Sequence, residues 1–334
     1  MKANIKRISE ISGFSPATVS NALNNKRSVN LKTYKKIWEI AEDIGYRIHA
    51  RMPKIRFVIY RKNGLIIDEN PFFSEVLQGV GAQAGECGCE IVFTYIDCRE
   101  KDSDDQVNEV LEDRDSLLIV LGTEMQEEDL DRFREKRDSM ILLDSWSDRG
   151  DFDAVLINNT DAAWNAVRYL WEKGHKKIGY LRGEYRIKAF QYREYGFYRA
   201  LEEKKAEVDR EFIITLGTRL DSAYEGMKNY LDTHTALPDA FFADNDIIAL
   251  GAMRALTEKG INVPSQVSVI GFDDLKFSAV SQPGLTTIRV FQKELAKMAV
   301  RRVLEKNREG GFVAGLKVQV ETKLIERGSV ADIK

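Results

Sequence analysis

From residue 54 onward the chain alternates short runs rich in β-branched and aromatic residues with longer segments of helical period. That alternation is what most restricts its fold. Residues 54–60 (KIRFVIY), 90–96, 116–121 and 140–144 read as strands. A helix is expected from Ser74 to about Glu86, and others between the later strands. A second set begins near Leu156, with helices at 160–172, 191–204, 222–232 and 247–259. Its strands are expected at 177–182, 212–216, 240–243 and 267–272. Regular strand–helix alternation predicts doubly wound parallel sheets, because each parallel crossover needs a helix to cover a sheet face. Two successive sets predict two lobes, with a ligand cleft at the carboxyl ends of the strands.

The first 53 residues are different. They hold ten Lys/Arg against four acids, a net +6, whereas the chain as a whole is −3 and the remainder therefore −9. A small basic head on an acidic body is suited to a polyanion. The head reads as three helices. The first spans 5–12 and is broken by Gly13-Phe14-Ser15. Ser15 is a good N-cap for a second helix from Pro16 to about Leu23, which buries Val19, Ala22 and Leu23. Asn30 caps a third, where Leu31, Tyr34, Ile37, Trp38, Ala41 and Ile44 recur at helical spacing until Gly45. Two short helices joined by a tight turn and closed by a third make a helix-turn-helix domain. Ser15, Pro16, Ala17, Thr18, Ser20, Asn21 and Asn24 are the outward residues expected at DNA. Asn21 can bond an adenine edge bidentately, and Thr18 and Ser20 can reach phosphate oxygens. Arg47 and Arg51 add phosphate contacts.

Several chemistries find no material. Three cysteines and three histidines supply neither a disulfide framework nor a zinc set; Cys87-Gly88-Cys89 has no second pair. Gly79-Val80-Gly81-Ala82-Gln83-Ala84 fits a dinucleotide fingerprint in letters but lies inside a predicted helix instead of opening one. Asp244-Asn245-Asp246 begins like a calcium loop and lacks the later glycine and glutamate. No nucleophile, base and oxyanion set assembles, so no enzyme, cofactor or metal is expected. No run of 18 apolar residues could cross a membrane, and the first residues carry no secretory pattern, so a reducing cytoplasm is the expected compartment.

At or just past strand ends stand Asp144, Asn245 and Asp273, with Arg193 early in a helix. Carboxylates, an amide and a guanidinium can each bond two vicinal hydroxyls. Phe72 and Phe73 offer flat faces for a sugar ring or a base. Trp146 and Tyr185 are further cleft candidates by position alone.

The run Ile8-Ser9-Glu10-Ile11-Ser12-Gly13-Phe14-Ser15-Pro16-Ala17-Thr18-Val19-Ser20-Asn21-Ala22-Leu23-Asn24 resembles the N-terminal signature of the Lac repressor/Gal repressor family. The resemblance continues through Asn70-Pro71-Phe72-Phe73, Gly174-His175-Lys176-Lys177-Ile178-Gly179, Val269-Ile270-Gly271-Phe272-Asp273-Asp274 and Pro283-Gly284-Leu285-Thr286-Thr287-Ile288. It implies an α/β protein: a small all-α helix-turn-helix DNA-binding domain (1–53) followed by a two-lobed periplasmic-binding-protein-like domain (54–334). The first lobe would comprise about 54–158 and 291–315, the second about 159–290 and 316–334. It also implies a homodimeric repressor on double-stranded operator DNA, controlled by a small effector, most simply a sugar. The matching effector positions are Asp144, Arg193, Asn245 and Asp273, to which the flat faces of Phe72 and Phe73 are added as effector contacts. A purine co-repressor is the alternative within the family, and a solute-binding protein without DNA function the alternative outside it. One departure stands out. The family's hinge helix carries a leucine that wedges into the minor groove. Here the stretch is short, Pro53 stands at that position, and Met52 is the apolar side chain placed to substitute. Weak DNA bending is therefore expected.

Overall fold

The computed structural model describes residues 4–23, 29–44, 52–68, 70–309 and 314–334. The head contains α1 (Ile5–Ser12), α2 (Pro16–Leu23) and α3 (Leu31–Asp43). Asn4 caps α1 by accepting from the Arg7 N–H, and Gly13 ends it in the left-handed conformation at φ 75°. Ser15 Oγ accepts from the Thr18 N–H at 3.1 Å, and Asn30 Oδ1 from the Thr33 N–H at 2.9 Å, so both predicted caps form. Ile8, Val19, Ala22, Leu23, Ile37 and Ala41 make the head's own buried core.

The first lobe is built on a six-stranded sheet. Its elements are β1 (Lys54–Arg61), α4 (Pro71–Glu86), β2 (Glu90–Asp97), α5 (Ser103–Glu112), β3 (Ser116–Leu121), α6 (Glu127–Asp131), β4 (Met140–Leu143) and β5 (Asp153–Ile157). The second lobe follows with α7 (Asn159–Glu172), β6 (Ile178–Gly183), α8 (Lys188–Glu203), β7 (Ile213–Leu216), α9 (Leu220–Thr233), β8 (Ala240–Ala243), α10 (Asp246–Glu258), β9 (Ser268–Ile270), α11 (Lys276–Val280) and β10 (Thr287–Arg289). The chain then returns: α12 (Gln292–Glu309) packs along α4 and under β3, β4 and β5. It ends with β11 (Lys317–Val320) and β12 (Lys323–Ile325). The first sheet is parallel in the order β11-β5-β4-β3-β1-β2, the second parallel in the order β7-β6-β8-β9.

Three expectations are corrected. The return to the second lobe comes after Val320 instead of at residue 316, because β11 pairs with β5 in the first sheet and only β12 reaches β10. Helix α4 begins at Pro71 instead of Ser74, since Asn70 caps it and a first-turn proline needs no helical N–H partner. Helix α8 begins at Lys188 instead of Gln191, which places Arg193 in its second turn.

The glycine fingerprint lies wholly within α4. A methyl on Gly79 would meet Ala296 Cβ at 2.8 Å and Lys293 Cα at 3.2 Å, so this glycine sets the spacing of α4 on α12. A methyl on Gly81 would meet nothing within 4 Å. Gly79→Ala is therefore expected to cost about 1–3 kcal/mol through overpacking. Gly81→Ala should be neutral or stabilise by up to about 1 kcal/mol through helix propensity. Urea unfolding of both variants checks this; equal effects would contradict the packing role.

Candidate functional site

Six of the eight residues singled out for the cleft line one cavity between the lobes. Phe72, Phe73 and Asp144 come from the first lobe with Ile66, Asn70, Thr123 and Ile157; Arg193, Asn245 and Asp273 come from the second with Ile187, Ala189 and Phe190. Each arrives at the carboxyl end of a parallel strand or in the first turns of a helix, as doubly wound sheets dictate. The cavity is nearly shut. Its volume is about 20 Å³, room for about one water molecule.

Arg193 organises the polar side. Its Nε donates to Asn159 Oδ1 at 2.8 Å and Nη1 to the Asp244 carbonyl at 2.5 Å, while Nη2 lies 3.4 Å from Asp273 Oδ1. The guanidinium sits 3.6 Å from the centre of the Phe272 ring. Asn245 is the N-cap of α10, and its Oδ1 accepts the Ile248 N–H. Thr123 Oγ1 donates to Asp144 Oδ2 at 2.7 Å. Asp144, Asp273 and Asp274 all have left-handed backbones, at φ 57°, 114° and 57°. Such strain in non-glycine residues persists where surrounding structure holds it, and it clusters at ligand sites.

Burial pushes the Asp273 carboxyl up to about 8; Arg193 opposes this, and the nearby charges of Asp246 and Asp144 add to it. Burial likewise pushes Asp144 up to about 6, against the Thr123 hydrogen bond and the Arg193 charge. These are carboxyls short of hydrogen-bond donors, a setting that hydroxyl groups would complete.

The outer residues of the Asp-Asn-Asp triplet serve the frame. Asp244 accepts from Gly183 N–H, the Tyr180 hydroxyl and the Arg186 guanidinium. Asp246 accepts from Leu275 N–H, Ser278 Oγ and Thr287 Oγ1. Among the described residues no group of His, Cys, Asp or Glu could hold a metal. His175 bonds the Ala331 carbonyl and anchors the chain end, in keeping with a connecting role.

Sequence reading missed the residues that work at a distance. Asn159 holds Arg193, and Thr123 holds Asp144. Buried Glu124 accepts the backbone N–H groups of Lys62, Asn63, Gly64, Ile66 and Ile67, and so fixes the loop that forms one cavity wall. Lys188 crosses the cleft to Glu127 at 3.0 Å, Asp148 at 3.2 Å and the Trp146 carbonyl at 2.7 Å. Tyr185 donates to the Glu124 carbonyl, Thr218 to the Leu65 carbonyl, and Lys276 pairs with Glu75. Trp146 and Tyr185 therefore stand in these inter-lobe contacts outside the cavity wall. Trp146 packs edge-on against Tyr192, their centroids 4.6 Å apart.

In the head, Ser15, Pro16 and Ala17 are exposed, and Thr18, Ser20 and Asn21 half-buried along α2. Thr18 shares its hydroxyl with Ser15 at 2.9 Å. Asn24, Arg47 and Arg51 lie outside the described residues. Met52 is exposed, and the Pro53 carbonyl accepts the Glu90 N–H at 3.0 Å.

A periplasmic binding protein-like domain matches residues 167–330. The HTH-type transcriptional repressor PurR of Haemophilus influenzae (strain PittEE) is 30% identical, covering 99% of each chain. That of Yersinia pestis bv. Antiqua is 31% identical over 99% of this chain and 97% of its own. The chain belongs to the Lac repressor/Gal repressor family. It is thus a helix-turn-helix, DNA-binding transcription regulator, and these relatives are repressors rather than enzymes. The fold agrees: a Lac repressor dimer bound to operator and the anti-inducer ONPF superposes with a TM-score of 0.73 at 21% identity, over 99% of this chain and 100% of that one. A transcriptional regulator CelR–cellobiose complex gives 0.73 at 21%, over 98% and 100%.

The closed cavity has a pH signature. Ordinary aspartates titrate near 3.9, so closing the cleft raises both Asp144 and Asp273. The closed form then binds more protons than an open, hydrated one. The cost of closure is absent below the ordinary range, grows as pH rises, and is complete above about 6 for Asp144 and about 8 for Asp273. Small-angle scattering should show a larger radius of gyration at pH 9 than at pH 5.5, with the change reduced in Asp273→Asn. A radius independent of pH would contradict this.

Proposed function

We propose that this chain is a repressor that binds its operator as a homodimer and is switched by a small, uncharged, hydroxyl-rich effector held between the lobes. Asp144, Asp273, Asn245 and Arg193 bond its hydroxyls, and Phe72 and Phe73 pack on its ring. The observation that carries this reading is the convergence of two donor-poor carboxylates and one guanidinium from opposite lobes on a single buried cavity. The Asp144 carboxylate already offsets the one cation, Arg193, which disfavours an anionic ligand. Likeness to the PurR repressors supports the purine co-repressor as the second reading, and an aromatic wall suits a base as well as a sugar. We place its action in the cytoplasm, with the DNA; among the described residues no helix is long and apolar enough to cross a membrane.

Arg193→Ala should abolish the effector response and preserve operator binding, since all its partners lie in the second lobe, far along the chain from the head. Calorimetry with sugars, hypoxanthine and guanine, beside an operator shift assay, tests this. Unchanged effector affinity in the variant would sink the assignment.

At the DNA, half-buried Asn21 reads a base from α2. Asn21→Ala should weaken specific operator binding by about 1–3 kcal/mol and leave non-specific binding nearly unchanged. Equal losses on operator and scrambled duplexes would make Asn21 a phosphate contact. With Pro53 following exposed Met52, DNA is bent weakly, and recognition leans on α2 and on salt-sensitive phosphate contacts. Circular-permutation assays should find a small bend; a strong kink lost in Met52→Ala would refute it.

A further inference from the structure

The first lobe carries a crevice of its own, outside the cleft. It lies beside the start of α4, over the ends of β1 and β3, and its volume is about 440 Å³, within the range of small-ligand sites. Its lining is mostly apolar: Ile59, Ile67, Phe73 and Leu121 are buried, and Leu77 of α4 is half-buried. Tyr95 of the edge strand β2 completes it and stays exposed. Among the described residues Arg61 is the one charged side chain in this lining. Its guanidinium lies over the Tyr95 ring, 4.9 Å from the centre. Its Nε is buried and has no hydrogen-bond partner. The nearest carboxylate oxygens stand 3.2 Å away on Asp68 and 3.9 Å away on Asp97, and both of these acids are hydrogen-bonded by Arg99 instead. Arg61 therefore has ion contacts behind it and unspent donors at the crevice. A planar carboxylate, accepting two parallel bonds, is the group that completes a guanidinium fork best. Ser74 adds a hydroxyl from the first turn of α4, where the helix dipole also favours negative charge.

We propose that this crevice is a second ligand site, separate from the effector cavity, and that it takes an aryl carboxylate. The carboxylate is held by Arg61 and Ser74, and the ring lies among Tyr95, Leu77 and the buried apolar side chains. Phe73 lines this space and the effector cavity alike, so one ring stands between the two ligands.

Fluorine NMR on the full-length protein tests this, with 4-fluorobenzoate as the probe and 4-fluorobenzamide as its uncharged counterpart. The acid is expected to bind about ten-fold more tightly than the amide, the difference one charge-assisted bond makes. Arg61→Gln should remove that advantage. Leu77→Trp, which fills the crevice from a half-buried position, should abolish binding of both. Each variant should bind operator as the parent chain does, which shows that it is folded. Arg193→Ala should leave the affinity for the acid unchanged, and acetate should fail to displace it. No binding of the acid, or equal binding of acid and amide, overturns the proposal. Binding that survives both Arg61→Gln and Leu77→Trp overturns it too. Binding lost in Arg193→Ala puts the acid in the effector cavity, and displacement by acetate reduces the site to a bare cation; either result also overturns it.

Discussion

A buried guanidinium is tolerable only where fixed partners replace its water, and Arg193 has such partners on every side. Asn159, the Asp244 carbonyl, Asp273 and the Phe272 ring hold it, and all belong to the second lobe. Its position is therefore set before the lobes meet. Asp244 in turn is fixed by Tyr180, Gly183 and Arg186, so the carbonyl that Arg193 bonds cannot drift. Removing one member of such a network leaves an uncompensated buried charge, which costs far more than the pair contributes. The first lobe brings Asp144, held by Thr123, toward this preset cation. The closed form thus joins a polar wall of the second lobe to one carboxylate of the first.

The same geometry ties the cleft to the head. Helix α4 starts at the Phe72–Phe73 wall and runs 16 residues, about 24 Å at 1.5 Å per residue. Beyond its end, the Glu90 N–H bonds the Pro53 carbonyl, where the head joins the body. Close packing at Gly79 against α12 keeps the helix from bending independently of the sheet. A displacement of Phe72 would then reach Pro53 through a stiff helix. Coupling of this kind is reciprocal: whatever effector binding does to operator affinity, operator binding does to effector affinity.

The sequence displayed what depends on neighbours in the chain. The Ser15 and Asn30 caps, Gly13 and the apolar face of α3 are local signals, and the head followed them. The cavity residues were legible for a related reason: parallel strands place whatever follows their carboxyl ends at one edge, so Asp144, Asn245 and Asp273 converge by topology. What stayed hidden depends on long loops closing. Strand β11 reads KVQV, no different from an exposed edge anywhere, and only its pairing with β5, about 160 residues earlier, assigns it to the first lobe. Glu124 looks like any loop acid until five N–H groups from residues 62–67 surround it. Lys188 looks like a surface lysine until the lobes close on it.

Closure of the empty cleft is a balance between opposed terms. Ile66, Ile157, Ile187 and Phe190 gain by leaving water, and Lys188, Tyr185, Thr218 and Lys276 add bonds across the gap. Against them stands the desolvation of Asp144 and Asp273. A ligand shifts such an equilibrium only by its difference in affinity for the two forms. One that touched the second lobe alone would bind open and closed forms alike and switch nothing. A ligand held as proposed, by Asp144 together with Arg193 and Asp273, would make the closed form preferred, because those groups can share a ligand only when the lobes meet. In that proposal the carboxylates whose desolvation opposes closure would be the ones that hydroxyl donors satisfy. On the proposed reading, the need for donors at Asp144 and Asp273 and the ability to switch would be one property of the site.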